Sequence, residues 1–159
     1  MFRLMLAAVL LAFVPTRIAL STQEPEVVAK EVREAEEQCR VDGGRPLKRA
    51  NFLRVLDLNN DGGEDWVLDF SKFECAGTVP SQPFCGSGGC SVSIYLWSGG
   101  STWAKAFDET VQTFRFIKQN GRPALRVEFG GAACGKVNAK SCPKTYLFQG
   151  AKLVAAGRS

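Results

Sequence analysis

Asp57-Leu58-Asn59-Asn60-Asp61-Gly62-Gly63-Glu64-Asp65-Trp66-Val67-Leu68-Asp69-Phe70 is the stretch whose reading decides the fold. It opens as a polar turn with the spacing D-x-N-x-D-G-x-x-D and ends in an alternation, with Trp66, Leu68 and Phe70 on one side and Asp65, Val67 and Asp69 on the other. A period of two marks a strand, so the turn joins two strands. Acidic and amide side chains at alternate positions of a tight turn converge on one point, which suits a hard dication that wants about six or more oxygens. Asp57, Asn59 and Asp61 would supply side-chain oxygens, Gly62 the sharp reversal, Gly63 a backbone carbonyl, and Asp65 the closing carboxylate. The predicted cofactor is therefore a structural calcium ion. An EF-hand is excluded, because its twelfth loop position requires a bidentate Glu between two helices and here that position is Leu68 in a strand.

This loop resembles the calcium loops of FG-GAP (VCBS-type) and integrin propeller repeats, which join two antiparallel strands. The resemblance covers the loop alone and implies calcium at Asp57, Asn59, Asp61, Gly63 and Asp65. Those families place several such repeats around a closed propeller, whereas this sequence carries the motif once. The alternative is an acidic hairpin turn in which Asn60, Asp61 and Gly62 supply only turn chemistry.

The chain begins with Met1-Phe2-Arg3, an unbroken apolar run from Leu4 to Val14, and small residues around Ser21. This reads as a signal peptide over residues 1–21, cleaved near Ser21, since the run is too short to cross a bilayer of about 30 Å. A periplasmic or secreted protein without a membrane span in the mature chain is expected. The formal charge of +4 falls to +2 if Arg3 and Arg17 leave with the signal. Basic residues read as interleaved with acids, so nucleic acid is not an expected partner.

Six cysteines behind a signal peptide read as three disulfides formed in an oxidising compartment. Proximity pairs Cys85 with Cys90 and Cys134 with Cys142, which leaves Cys39 with Cys75. Each short bridge contributes about 2–3 kcal/mol on the chain-entropy account. A zinc site is excluded by the absence of histidine and of C-x-x-C spacing.

The expected organisation is an N-terminal helix and linker over residues 22–50 and a disulfide-bonded antiparallel β domain over 51–159. Glu24 to Arg40 reads as the helix, with Pro25 in its first turn, Val28, Val32, Ala35 and Cys39 on one narrow face, and pairs Glu26–Lys30 and Lys30–Glu34 on the other. From Phe52 onward the period is two. Strands are expected near 51–57, 65–70, 91–97, 103–108, 112–118, 123–129, 144–149 and 152–156, separated by turn signals such as Asn120-Gly121. The fold class is mainly β, an α+β hairpin meander of about eight strands forming a curved sheet, a barrel or a two-sheet roll. Eight strands amount to about two propeller blades and do not close a ring.

Two long loops, Cys75 to Cys90 and Gly130 to Lys144, hold most of the expected bridges. Gly86, Ser87, Gly88 and Gly89 between Cys85 and Cys90 form a stapled tip that is the candidate surface for a protein partner. An anion nest there lacks the following Lys of a P-loop. Trp66 is in phase with the core, whereas Trp97 and Trp103 flank a Gly-rich turn and raise an exposed aromatic strip. No catalytic residues are expected. Without histidine or a free thiol no triad of the usual kind exists, and Asp108, Glu109 and Glu128 show no spacing that sets two acids across a cleft. The chain thus reads as a calcium-stabilised binding or structural module. The second reading is an inhibitor of a cell-wall hydrolase or protease, since Gly86-Ser87-Gly88 is similar to the Ser-Gly-rich motif of small periplasmic lysozyme inhibitors. The Lys and Tyr that complete that motif are absent.

Overall fold

Val28, Val32, Ala35 and Cys39 recur at helical spacing, and the segment that carries them is α1 (Glu26–Val41), with Pro25 as its N-cap and these four residues buried. The computed structural model of the chain describes residues 23–134 and 141–157. The expected signal segment 1–21 and its cut near Ser21, and residues 135–140 of the second long loop, lie outside the described residues. Lys30 pairs with Glu34 as expected, while Glu26 pairs with Arg33 at 2.6 Å in place of Lys30.

Eleven strands follow, in order β1 (Arg45–Lys48), β2 (Leu53–Leu56), β3 (Asp65–Asp69), β4 (Phe73–Ala76), β5 (Cys85–Gly86), β6 (Gly89–Gly99), β7 (Thr102–Val111), β8 (Thr113–Gln119), β9 (Arg122–Gly130), β10 (Ser141–Gln149) and β11 (Lys152–Ala155). All eight expected strands are present. The additional ones are the ribbon of β1 with β4 and the two-residue β5. Every pairing is antiparallel.

The strands separate into two main sheets. In the first, β2, β3 and β6 lie side by side, β7 covers the other edge of β6, and β5 pairs with the start of β6. In the second the order is β11-β10-β9-β8. The two-sheet arrangement is therefore the one realised among those the hairpin pattern allows. Gln112 carries the chain from one sheet to the other, and its N–H donates to the Glu128 carbonyl at 2.8 Å.

The first sheet is covered on both faces. On one side α1 packs with Phe52, Trp66, Leu68, Phe70, Phe73 and Tyr95. On the other side Val67, Ile94, Leu96 and Phe107 meet Leu125, Val127, Phe129 and Phe148 of the second sheet. This explains why Trp66, Val67 and Leu68 are all buried, although a half-buried strand would expose every second residue. At the open edge the Arg54 guanidinium lies 5.3 Å from the Phe114 ring and 5.6 Å from the Phe116 ring, bridging β2 to β8.

Three disulfides join Cys39 to Cys75, Cys85 to Cys90 and Cys134 to Cys142, the pairing expected from proximity. The first ties the last turn of α1 to β4, and Gly44 lies against its sulfurs so closely that a Cβ there would overlap Cys75 Sγ. No helix among the described residues is long and apolar enough to cross a membrane.

Candidate functional site

The acidic turn connects β2 to β3 and is built from its own side chains. Asn60, with φ 60°, and Gly62, with φ 81°, take the left-handed conformation that reverses the chain, which Asn and Gly adopt most readily. Asp57 accepts the Asp61 N–H through Oδ1 and the Gly62 N–H through Oδ2, both at 3.1 Å. Asn59 Oδ1 accepts the Asp61 N–H at 3.1 Å, while its amide nitrogen donates to Asp61 Oδ2 at 2.7 Å and to the Gly150 carbonyl of the β10–β11 turn at 3.3 Å. Asp61 Oδ1 in turn accepts the Gly63 N–H at 2.8 Å. These are Asx turns, the local bonding that Asp and Asn side chains offer a tight backbone reversal.

Asp65 differs from the other acids of the loop. It is fully buried, and its two oxygens accept the Leu58 N–H at 2.8 Å and the Trp97 N–H at 2.9 Å. The carboxylate thus ties the far end of the turn to its beginning and to β6, the central strand of the first sheet. Burial pushes its pKa above the ordinary aspartate range, the two backbone donors oppose that, and the charges of Asp61 and Asp57 add to it. Among the described residues none of Asp57, Asp61 and Asp65 forms an ion pair. Nor do three acidic, cysteine or histidine side chains among them gather into a ready-made ion cage. Asp57 and Asp61 are exposed and Asp65 faces inward. The donor set still suits a hard cation chemically, since each carboxylate oxygen that accepts one N–H keeps a second lone pair.

Trp97 and Trp103 do not form an exposed strip. They are cross-strand partners on β6 and β7, and both are partly buried against the acidic turn. Trp103 Nε1 donates to the Glu64 carbonyl at 2.6 Å, and Trp97 Nε1 donates to the Gly100 carbonyl at 2.9 Å. The Trp97 indole lies on Gly63, where a Cβ would overlap the ring. Gly63 is thus demanded by packing.

At the stapled tip, Gly86 and Ser87 are exposed, while Gly88 and Gly89 are half-buried. Gly89 has φ 116° and sits against the Val111 backbone, and Gly88 lies under Gly130. The glycines permit close approach of three backbone segments, and only the Gly86–Ser87 end is presented outward.

The acids considered for a paired-carboxylate hydrolase fall in separate neighbourhoods. Asp108 pairs with Lys105 at 3.0 Å, Glu109 lies near Tyr146, and Glu128 lies 3.9 Å from Arg126 Nε. Asp108 belongs to a polar pin between α1 and the first sheet that the local pattern does not reveal. Ser93 Oγ lies 2.5 Å from Glu31 Oε1 and 3.3 Å from Asp108 Oδ1, the Tyr95 hydroxyl donates to Glu31 Oε2, and Lys105 Nζ lies 2.9 Å from that same oxygen. Ser93 is completely buried, while Lys105 and Asp108 at the outer end of the cluster are exposed, so the pin runs from the sheet interior to the surface and holds the helix. The signal that could have found it is Ser93 set inside the run Val92–Trp97, whose other members are apolar or aromatic.

Comparison with protein-family models, with curated proteins and with solved structures finds no match for this chain.

The pin carries an expected result at high pH. Burial first, and then the hydrogen bond to Glu31, raise Tyr95 well above the ordinary phenol range. For Lys105 burial works downward, but the bonds to Glu31 and Asp108 outweigh it and the net direction is upward. Tyr146, the only other tyrosine, is raised by burial and by Glu109. Groups raised in the folded state contribute stability that is complete below their unfolded values of about 10. It is lost as pH climbs from there through the folded values. Phenolate absorbance should therefore stay flat through about pH 10 and appear together with unfolding. A tyrosine that ionises freely near that pH in the folded protein contradicts the pin.

Proposed function

We propose that this protein is a secreted binding module, stabilised by three disulfides and by calcium held at the acidic turn, and that it acts by capturing a partner and not by catalysis. The observation that carries the calcium reading is the set of three carboxylates, Asp57, Asp61 and Asp65, confined to one turn with no basic side chain paired to them among the described residues. A dication there would offset the burial and, to a lesser degree, the repulsion from Asp61 and Asp57 that raise Asp65. Asp57, Asn59 and Asp61 would hold it from the solvent side and Asp65 from the core side. The disulfides favour an oxidising compartment. The binding reading is supported by a chain without histidine and without a free thiol, and by Asp108, Glu109 and Glu128 falling in separate neighbourhoods.

The test is thermal melting across a calcium titration. With the affinity of extracellular modules, on the order of 10⁻⁴–10⁻³ M, the ion should raise the melting temperature progressively through the millimolar range. Magnesium should do less, because it demands a tighter octahedral shell. Asp61→Ala should lose the calcium response, and in chelator should melt only modestly below wild type for the Gly63 N–H it leaves unpaired. A wild-type melting temperature indifferent to calcium leaves the turn as a set of Asx bonds and removes the metal from the proposal.

A further inference from the structure

Residues 22–112 and residues 113–159 carry opposite net charge, which the whole-chain excess of +4 conceals. Residues 22–112 hold nine Lys and Arg against fifteen acids, while residues 113–159 hold nine Lys and Arg against the single acid Glu128. Within the latter, the strands of the second sheet carry Arg115, Lys118, Arg122, Arg126, Lys144 and Lys152 against Glu128. The expectation of interleaved charge is therefore corrected for this sheet.

Its inward positions are Phe114, Phe116, Leu125, Val127, Phe129 and Phe148, all packed in the core between the sheets. Strand alternation then turns Arg115, Ile117, Arg126, Pro143 and Thr145 to the opposite, solvent-facing side. Arg115 on β8 lies directly opposite Arg126 on β9, which lies opposite Thr145 on β10. Like charges set opposite one another on adjacent strands repel. Glu128 offers little relief, being 3.9 Å from Arg126 Nε, an atom buried without a hydrogen-bond partner. Arg126 of this pair also lines an open cleft of about 1050 Å³ with Gln119, Asn120 and Thr145; Lys118 and Lys144 border it from the inward register, Lys144 Nζ lying 4.8 Å from the Phe129 ring.

We propose that the outer face of β8, β9 and β10 binds an acidic glycan, a carbohydrate chain bearing carboxylate or sulfate groups. The proposal rests on the reading of the protein as a binding module, names its partner's chemistry, and is independent of calcium. Arg115 and Arg126 face a shared position where an anionic group relieves their repulsion and takes charge-assisted hydrogen bonds from both. Gln119, Asn120 and Thr145 provide the neutral donors and acceptors that pair with sugar hydroxyls. Single-stranded nucleic acid is less well suited, because it is held by stacking on aromatic side chains and the rings of this sheet are committed to the core. A bilayer surface calls for protruding aromatic or large apolar anchors, and here the exposed apolar side chain is Val154.

Binding to heparin, a sulfated glycan, tests the proposal in the full mature chain. Wild type should be captured at low salt, with affinity falling steeply as salt rises, and should ignore neutral dextran. Arg115→Gln with Arg126→Gln should weaken capture about tenfold or more and flatten the salt dependence. Its melting temperature should equal or exceed wild type, because the substitution removes a repulsive pair. Lys30→Gln with Arg33→Gln on α1 removes the same charge elsewhere and should leave capture unchanged. Absence of heparin capture, equal loss in the α1 control, or tighter binding of a single-stranded oligonucleotide or of phosphatidylglycerol vesicles than of heparin overturns the proposal. Running the assay with and without chelator separates it from the metal reading, since capture should survive loss of calcium.

Discussion

Asp65→Ala is expected to lose about 2–6 kcal/mol of stability, because two buried backbone donors, Leu58 N–H and Trp97 N–H, would each be left without a partner at about 1–3 kcal/mol apiece. For a chain of this size that lowers the melting temperature by on the order of 10 °C. The loss should appear in chelator as well as in calcium and exceed that of Asp61→Ala, whose exposed carboxylate accepts a single backbone N–H, that of buried Gly63, and whose main effect should be on the calcium response. Asp65→Asn keeps one acceptor but turns an amide nitrogen toward the second N–H, so its loss should lie between wild type and alanine. Urea unfolding of the three proteins measures this ordering. If Asp65→Ala unfolds at the wild-type midpoint, the carboxylate is not what joins the turn to β6.

The position of Asp65 also shows why the sequence yields some of this fold and not the rest. Alternation from Trp66 to Phe70 marks β3 correctly, yet it assigns Val67 to a polar side, and Val67 is fully buried. A period of two describes a strand with one wet face, whereas β3 lies between α1 and the second sheet. Local pattern contains no sign of a third layer. The ribbon of β1 and β4 escapes for a related reason. Arg45–Lys48 and Phe73–Ala76 are too short to show a period, and they pair across a long span of chain. The cysteines are legible because two of the three bridges close short loops, which leaves one partner for Cys39. Long-range polar contacts are not. Glu31 reaches Ser93 and Tyr95 from more than sixty residues away, and nothing in α1 separates this glutamate from its solvated neighbours. The basic sheet was open to a simple count, since charge summed separately over residues 22–112 and 113–159 exposes what the total hides.

Removing the Cys39–Cys75 bridge by double alanine substitution is expected to cost about 4 kcal/mol, the largest loss among the disulfides, because it closes the longest loop, with a separation of 36 residues. The same account gives about 2 kcal/mol for Cys85–Cys90, with a separation of 5. Packing sharpens the difference. Cys39 and Cys75 belong to the core beside α1, and Gly44 is pressed onto their sulfurs, so alanine leaves a void there as well. The helix has little else to hold it. Its buried face is four residues wide, and an isolated helix of 16 residues is marginal in water. What remains after the bridge is cut is the Glu31 pin and the 2.7 Å ion pair from Lys48 to Glu36. Loss should therefore be local before it is global. Amide exchange should accelerate in α1, β1 and β4, while β9 and β10, whose core lies on the far side of the first sheet, keep their protection. Equal protection loss in all strands would mean that the two cores unfold as one unit. A smaller destabilisation than that of the Cys85–Cys90 double alanine would mean that loop length does not govern these bridges. The second result would show that α1 is held by its apolar stripe and the Glu31 pin, with the disulfide only recording that contact.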